Sequence, residues 1–564
     1  MIANLSPGLI LILGAVLVPV LPGIVRKLYM LALPLLAGWQ LYGLPMGDFG
    51  QAALFGYQIT LLRVDALSVP FGTIFIIAAF LNVIYGLHQR DAMQEVASLV
   101  YAGAAIAAVF VGDLITLFVF WELTAIASVF LIWASRTERA YHAGLRYLVI
   151  QVGSGLLLLA GVVVQAMQTG SVAFELIGLG GLASWLIFLA FGIKCAFPLL
   201  HNWLQDAYPE ATVVGTVVLS AFTTKLAIYA LARGFPGTEA LVYIGAVMTA
   251  FPVFFAVIEN DLRRVLAFSL NNQLGFMVAG IGVGSQIALN GAVAHAFVHI
   301  IYKALLFMSM GAVLHRVGTV KASELGGLFR SMPLTAVFCI VGAASISAFP
   351  LFSGFVAKSL TLTGVAEAGY VISWLVLVFA SAGVLEHSGI KIPYFAFFAH
   401  DSGRRCREAP WNMLVAMGLA AFLCIAIGVH PDPLYALLPY PVDYAPYTTD
   451  HVLSQLQLLF FAMLAFAVLI KTGLYPTERP STILNTDWVY RRLLPWLAGG
   501  AIEAVARASS AVASALLALA IGTRDYIVRH HGPEGVLART WPTGSMVLWA
   551  AALLTLCLIF FYLR

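Results

Sequence analysis

Three lysines, Lys194, Lys225 and Lys358, and one glutamate, Glu122, sit inside long apolar runs. A lysine at the centre of a membrane-spanning helix costs roughly 2.5–3.5 kcal/mol on insertion-based scales. Such groups persist where they face a wet or paired interior, and they mark ion or proton paths. Several along one chain describe a relay. Glu122 lies in Phe120-Trp121-Glu122-Leu123-Thr124. Burial and a neighbouring ammonium act on a carboxyl group in opposite directions, so such a glutamate can be switched between charge states. The competing reading is a carboxylate near the membrane surface, since Asp113 lies only nine residues earlier. Lys194 stands one helical turn before Pro198, and its competing reading is a lysine snorkelling to the interface. Lys225 is placed midway along its helix, where snorkelling is hard, and a desolvated lysine exchanges its proton readily.

His295, His299 and Lys303 follow at i, i+4 and i+8, and so share one helix face. Two histidines at this spacing could ligate a metal, but no third ligand accompanies them, and no metal is expected. Helix–helix hydrogen bonding is the plainer alternative. An unperturbed pKa of about 6.5 suits histidine to proton hopping, so the face reads as a bridge between two halves. Lys358, eight residues after Pro350, is placed as an outlet toward water. Lys391 either extends the path or, with Glu386 and His387, forms a paired polar helix end. The run Glu259-Asn260-Asp261-Leu262-Arg263-Arg264 reads as fixing orientation and helix ends.

The elements that carry these groups follow from composition. Hydrophobic residues make up 61% of the 564 and charged residues 10%, and the mean hydropathy is +0.95. Soluble domains hold about 25% charged residues. Apolar segments of spanning length run over 5–25, 28–45, 67–87, 96–112, 115–134, 146–168, 181–200, 212–232, 240–258, 265–283, 288–314, 333–362, 371–398, 412–430 and 452–470. Another stretch covers 493–522, and a last helix covers 543–562. The stretch from Met1 to Val25 lacks a basic start and reads as a first membrane helix, not a cleaved signal. The five cysteines show no metal or redox spacing, so no cofactor is expected. A formal net charge of +4 gives no reason to invoke nucleic acid.

Basic clusters at Arg26/Lys27, Arg136/Arg139, Arg263/Arg264, Arg316/Lys321/Arg330 and Arg404/Arg405/Arg407 fall on alternate connections, which makes those connections cytoplasmic. The connection 431–450 carries Asp432, Asp443 and Asp450 without a basic residue and lies outside, as does the N-terminus. Ala196-Phe197-Pro198-Leu199-Leu200 recurs as Ala348-Phe349-Pro350-Leu351-Phe352. Each proline breaks an apolar helix. Each break has a lysine beside it and a second one helix later: Lys194 with Lys225, and Lys358 with Lys391, at separations of 31 and 33 residues. Paired broken helices in inverted halves point to a transport site near the midplane. The expected division is 1–95, 96–235 and 236–400 as the two repeats after an N-terminal part, 401–475, and a tail over 476–564. The tail is punctuated from Pro476 to Pro480. Glu503 and Arg507 interrupt its apolar run, which favours a helix along the membrane surface over a span.

Phe120-Trp121-Glu122-Leu123, the run from Gly192-Ile193-Lys194 through Pro198 and His201 to Trp203-Leu204-Gln205-Asp206-Ala207, and His295 to Phe307 resemble the antiporter-like subunits of respiratory complex I and of Mrp-type cation/proton antiporters. Asp261 to Ser269 with Gln273-Leu274-Gly275, and Gly326-Gly327-Leu328 leading to Met332-Pro333, match in the same order. Ser353-Gly354-Phe355 to Lys358 and Asp487-Trp488-Val489-Tyr490-Arg491 look most like the D-type branch of the Mrp antiporters. Leu270-Asn271-Asn272 replaces a hydroxyl-rich run, and Phe349-Pro350 stands where a double proline is frequent. The resemblance implies about fourteen core helices and two inverted five-helix repeats with broken helices; together with the tail as read above, the expected fold is an all-α polytopic membrane protein ending in a lateral amphipathic helix and a terminal span. The resemblance also implies a Glu122–Lys194 pair and a hydrated axis through Lys225, His295, His299 and Lys303 to Lys358.

The expected function is a proton-translocating subunit of a multisubunit Na⁺/H⁺ antiporter in a bacterial cytoplasmic membrane, partnered by other membrane subunits and lipid. The rival is a pump subunit of a redox complex of the NADH dehydrogenase or hydrogenase type. A scaffold for a soluble enzyme is disfavoured, because a scaffold gains nothing from lysines at bilayer depth.

Overall fold

A computed structural model of the chain describes residues 5–54, 56–476, 478–479, 483 and 485–563. Met1 and Pro480, which enter the readings of the two ends, lie outside the described residues. Contacts divide the chain into two compact units, Met1–Ile483 and Leu484–Arg564.

The first unit is built from apolar helices joined by short connections. In order they are α1 Pro7–Ala15, α2 Gly23–Gly43, a hairpin of β1 Gly47–Leu54 and β2 Tyr57–Val64, α3 Ser68–Gly86, α4 Ala92–Val109, α5 Leu114–Trp133, α6 Glu138–Thr169, α7 Leu182–Cys195, α8 Asn202–Ala207, α9 Val213–Ala221, α10 Thr223–Gly234, α11 Ala240–Ile258, α12 Leu262–Val283, α13 Gln286–Val317, α14 Pro333–Ile346, α15 Ser353–Glu367, α16 Val371–Val384, α17 Lys391–Pro393, α18 Trp411–Val429, α19 Asp432–Tyr435 and α20 Thr449–Thr472. The second unit holds α21 Leu494–His531 and α22 Thr543–Tyr562. Among the described residues, thirteen helices are long and apolar enough to cross a membrane. The molecule is an all-α polytopic membrane protein with one small antiparallel hairpin.

Helix starts follow side-chain chemistry. Asp91, Asp113, Thr137, Thr212, Asp261, Ser285 and Thr448 each accept a hydrogen bond from a backbone N–H in the first turn of the helix they open. The centre of the bundle is α12 and α13, whose most apolar windows are 100% and 94% buried. They pack against each other and against α10 and α15; α12 also lies against α11, and α13 against α9. Lys225, His295, His299 and Lys303 therefore fall on elements that are almost wholly buried.

Several elements differ from those expected. The first apolar run is not one helix: α1 ends at Ala15, a run of turns follows, and α2 starts at Gly23. The hairpin at 47–64 buries Ile59, Leu62 and Val64 on its second strand and lies in a stretch with no strong sequence pattern. The run 212–232 is interrupted at Phe222, so Lys225 sits just past a break and not in mid-helix. The run 371–398 contains two π-helical segments, Leu385–Ile390 and Tyr394–Phe398, on either side of α17. The tail's apolar run 493–522 extends, ahead of α22, into a longer helix than expected, the 38-residue α21. At 1.5 Å per residue it is about 57 Å long, nearly twice a hydrocarbon core of about 30 Å, which fits a lateral helix and not a single span.

Candidate functional site: a buried row of ionisable side chains

The site begins with two copies of one backbone device. At the end of α7, Phe197 N–H donates to the Gly192 carbonyl at 3.0 Å and Ala196 N–H to the Ile193 carbonyl at 3.1 Å. At the end of α14, Phe349 N–H donates to Ala344 at 3.0 Å and Ala348 N–H to Ser345 at 3.1 Å. Both are Schellman caps, and each places an alanine where glycine is usual. Ala196 has φ 63° and Ala348 φ 56°, and the leucines three residues on, Leu199 and Leu351, have φ 69° and 73°. Pro198 and Pro350 follow inside each cap and prevent the helix from resuming. The repeated pentapeptide is therefore a repeated three-dimensional break.

Lys194 is fully buried at the first break. Its ammonium donates to the Trp121 carbonyl at 2.5 Å and the Thr124 hydroxyl at 3.0 Å, and it stands 4.3 Å from the Trp121 ring centroid. Trp121 is fixed in turn, donating from Nε1 to Ser154 at 3.1 Å, while Ser154 donates to the Ala190 carbonyl. Glu122 is half-buried, and its Oε1 has no hydrogen-bond partner among the described residues. Lys194 and Glu122 share a site and interact electrostatically, while the Lys194 ammonium donates its hydrogen bonds to a carbonyl and a hydroxyl. Glu122 packs onto Gly155 of α6, where an added Cβ would overlap Oε1. No sequence pattern marks Gly155 or Thr124, since only the facing of α5 on α6 and α7 gives them a role.

The middle of the row lies on α10 and α13, with polar support from α12. Lys225 is fully buried and donates to the Ser220 carbonyl at 2.6 Å, across the interruption at Phe222. His295 Nε2 lies 3.1 Å from Gln273 Oε1 and 3.0 Å from the Tyr302 hydroxyl, which itself donates to Gln273 Oε1 at 3.0 Å. Gln273 donates to Asn272 at 2.6 Å, and Asn272 donates to the Thr249 carbonyl. The Leu270-Asn271-Asn272 departure therefore supplies polar groups behind the histidine. His299 stacks edge-on between His295 and Tyr302, with ring centroids at 6.2 and 5.3 Å. Both His299 ring nitrogens and the Lys303 ammonium are buried without a hydrogen-bond partner among the described residues. Lys225, Lys303 and Lys358 all lie within electrostatic range of His299.

Lys358, 2% exposed, donates to the Ile346 carbonyl at 2.7 Å and lies 5.1 Å from the Phe276 ring centroid. Phe276 touches His295, with centroids 5.8 Å apart. Lys391 lies beyond His387, a buried imidazole within electrostatic range of Lys303, Lys358 and Lys391. It donates to the Val257 and Glu259 carbonyls at 2.6 and 2.7 Å and to Ala256 at 3.3 Å, and it forms an ion pair with Glu478 at 2.8 Å. Sequence reasoning misses Glu478, because it lies in a short polar tail whose fold back onto the bundle leaves no local signal. Asp261 caps α12 and Glu259 pairs with Arg264 at 3.1 Å, so that cluster closes a helix junction.

Residues 111–384 match the family described as NADH:quinone oxidoreductase/Mrp antiporter, transmembrane. The D component of the Na⁺/H⁺ antiporter of Alkalihalophilus pseudofirmus is 30% identical over 347 residues, covering 57% of this chain and 70% of that protein. The chain belongs to this family. Another member, hydrogenase-4 component B of Escherichia coli, is 27% identical over 424 residues, 65% of this chain and 62% of that protein. The antiporter-like fold recurs in the structure of the Mrp complex from Dietzia sp. DQ12-45-1b. The TM-score is 0.76 at 24% identity, over 92% of this chain and 62% of that chain. The chain thus spans well under the full length of these family members.

Proposed function

We propose that the chain is the proton-translocating subunit of a multisubunit Na⁺/H⁺ antiporter in a bacterial cytoplasmic membrane. The observation that carries this reading is the row of buried ionisable side chains, Lys194, Lys225, His295, His299, Lys303 and Lys358, flanked by two matching helix breaks. A proton entering near Lys225 passes along the His295–His299–Lys303 face to Lys358. Buried polar groups are normally hydrogen-bonded, so the unmatched His299 and Lys303 are suited to hydration and proton exchange. The charge state of Glu122 sets the field at Lys194 and so biases transfer along the row. Other membrane subunits supply the cation path and are coupled through that first locus.

Lys194→Ala and Glu122→Ala are each expected to abolish antiport in everted vesicles while leaving the complex assembled. Wild-type antiport in a fully assembled Lys194→Ala complex would refute the relay. The similarity to hydrogenase-4 component B supports a second reading, a redox-driven pump subunit. Mass spectrometry of the tagged chain purified in mild detergent separates the two. Small hydrophobic partners favour the antiporter, and iron–sulfur or nickel–iron subunits favour the pump.

A further inference from the structure

Lys391 has surroundings unlike those of any lysine in the row. Its ammonium faces the carbonyls of Val257 and Glu259 at 2.6 and 2.7 Å, that of Ala256 at 3.3 Å, and one oxygen of Glu478 at 2.8 Å. These carbonyls close α11. The last four carbonyls of a helix lack intrahelical partners, and that end carries partial negative charge. The second oxygen of Glu478 is buried and has no hydrogen-bond partner among the described residues, in a side chain only 6% exposed. Glu259 and Glu386 add negative charge around the same point. Four oxygens of this kind, with a fifth unused beside them, make a cage for any compact monovalent cation.

The lysine is aimed into the cage by unusual backbone. α17 lies between two π-helical segments, and π-turns inside helices are frequent at functional sites. Gly389 sits in the first of them, where an added Cβ would collide with Ser347 Oγ, next to the second broken helix. Pro393 withholds a backbone donor shortly after Lys391. The segment bearing Lys391 is thus irregular where the side chain enters and sits against the break that Lys358 follows.

We propose that the C-terminal carbonyls of α11 and the Glu478 carboxylate form a binding site for a monovalent alkali cation, with the Lys391 ammonium as its resident competitor. Na⁺ or K⁺ takes the oxygens when Lys391 leaves them, and the lysine returns when the cation departs. The site gives the proposed antiporter an oxygen-lined cation locus that its sequence does not display, and its place in transport rests on that reading. The plainer alternative is a helix cap with no cation to exchange.

The test uses the purified complex in detergent. It measures binding of radiolabelled Na⁺ and melting temperature in NaCl, KCl or choline chloride at equal ionic strength. With the competitor removed, Lys391→Ala is expected to bind Na⁺ or K⁺ about tenfold more tightly than wild type. Its melting temperature should rise in those salts and not in choline. The double variant Lys391→Ala/Glu478→Gln should lose both effects. Should Lys391→Ala fail to assemble in every salt, Lys391→Gln keeps an amide donor for the carbonyls, leaves Glu478 free and must show the same cation preference. An assembled Lys391→Ala or Lys391→Gln complex that responds equally to alkali salts and choline overturns the site and leaves a cap. If the binding difference holds while vesicles move no Na⁺, the antiport reading fails and the site stands.

Discussion

The two broken helices share a backbone and differ in chemistry. Each ends in a Schellman cap with alanine in the left-handed region, each continues to a second left-handed leucine, and each has a proline between. At the first break the lysine precedes the cap and reaches across to α5, where the Trp121 carbonyl and Thr124 hydroxyl hold it beside Glu122. At the second the lysine follows the break and donates to the Ile346 carbonyl, the last residue of the helix half before it. Among the described residues no carboxylate forms an ion pair with Lys358. A break therefore supplies carbonyls for an ammonium at depth, while the neighbouring helix decides whether that ammonium is subject to an acid.

The largest effect is expected from Lys358→Ala. It should take antiport to background, as is expected of Lys194→Ala, with the complex intact; antiport at the wild-type rate would remove the second break from the path. Next in size is a contrast between glycines. At Gly354 an added Cβ would run into the Ser345 carbonyl oxygen, which is backbone and cannot yield, whereas at Gly192 it meets the Phe197 ring at 2.5 Å, which can shift. Gly354→Ala should cost about 3 kcal/mol or more and Gly192→Ala about 1 kcal/mol, measured by thermal unfolding in detergent. Equal losses would mean that the two breaks are not packed differently. Thr124→Val tests the cross-helix hold on Lys194. It leaves the ammonium one partner short, with an expected cost of about 1–3 kcal/mol and slower antiport, and nothing comparable can be removed at Lys358, whose acceptor is backbone. The smallest effect is a gain. Ala196→Gly and Ala348→Gly relieve left-handed strain of about 1 kcal/mol each, and matched rises in melting temperature would confirm that the caps are equivalent.

Much of this is legible in the residues because membrane insertion leaves few options. A run of about 20 apolar residues must form a helix, since backbone groups in lipid have no other partners. That is why α3, α5, α11, α18 and α22 fall within a few residues of their expected bounds. The proline-centred repeat marks both breaks for the same local reason. Other features depend on neighbours that no run of residues declares. The left-handed alanines carry no glycine signal. The interruption at Phe222 and the π-turns around Lys391 lie inside runs that read as smooth helix.

The membrane class, the order of the spans, the two breaks and the placement of rare charges at depth can all be read from the residues alone. Each depends on local composition set against the cost of burying backbone and charge. Which groups meet was settled only by the packing of the helices. That packing put a carbonyl and a hydroxyl, not Glu122, on the Lys194 ammonium, set Gly155 under Glu122, and built Gln273 and Tyr302 around His295. It also folded Glu478 back onto Lys391, which lies 87 residues earlier in the chain. Such pairings depend on distances of a few ångströms between separate helices, and those are set across the whole close-packed bundle.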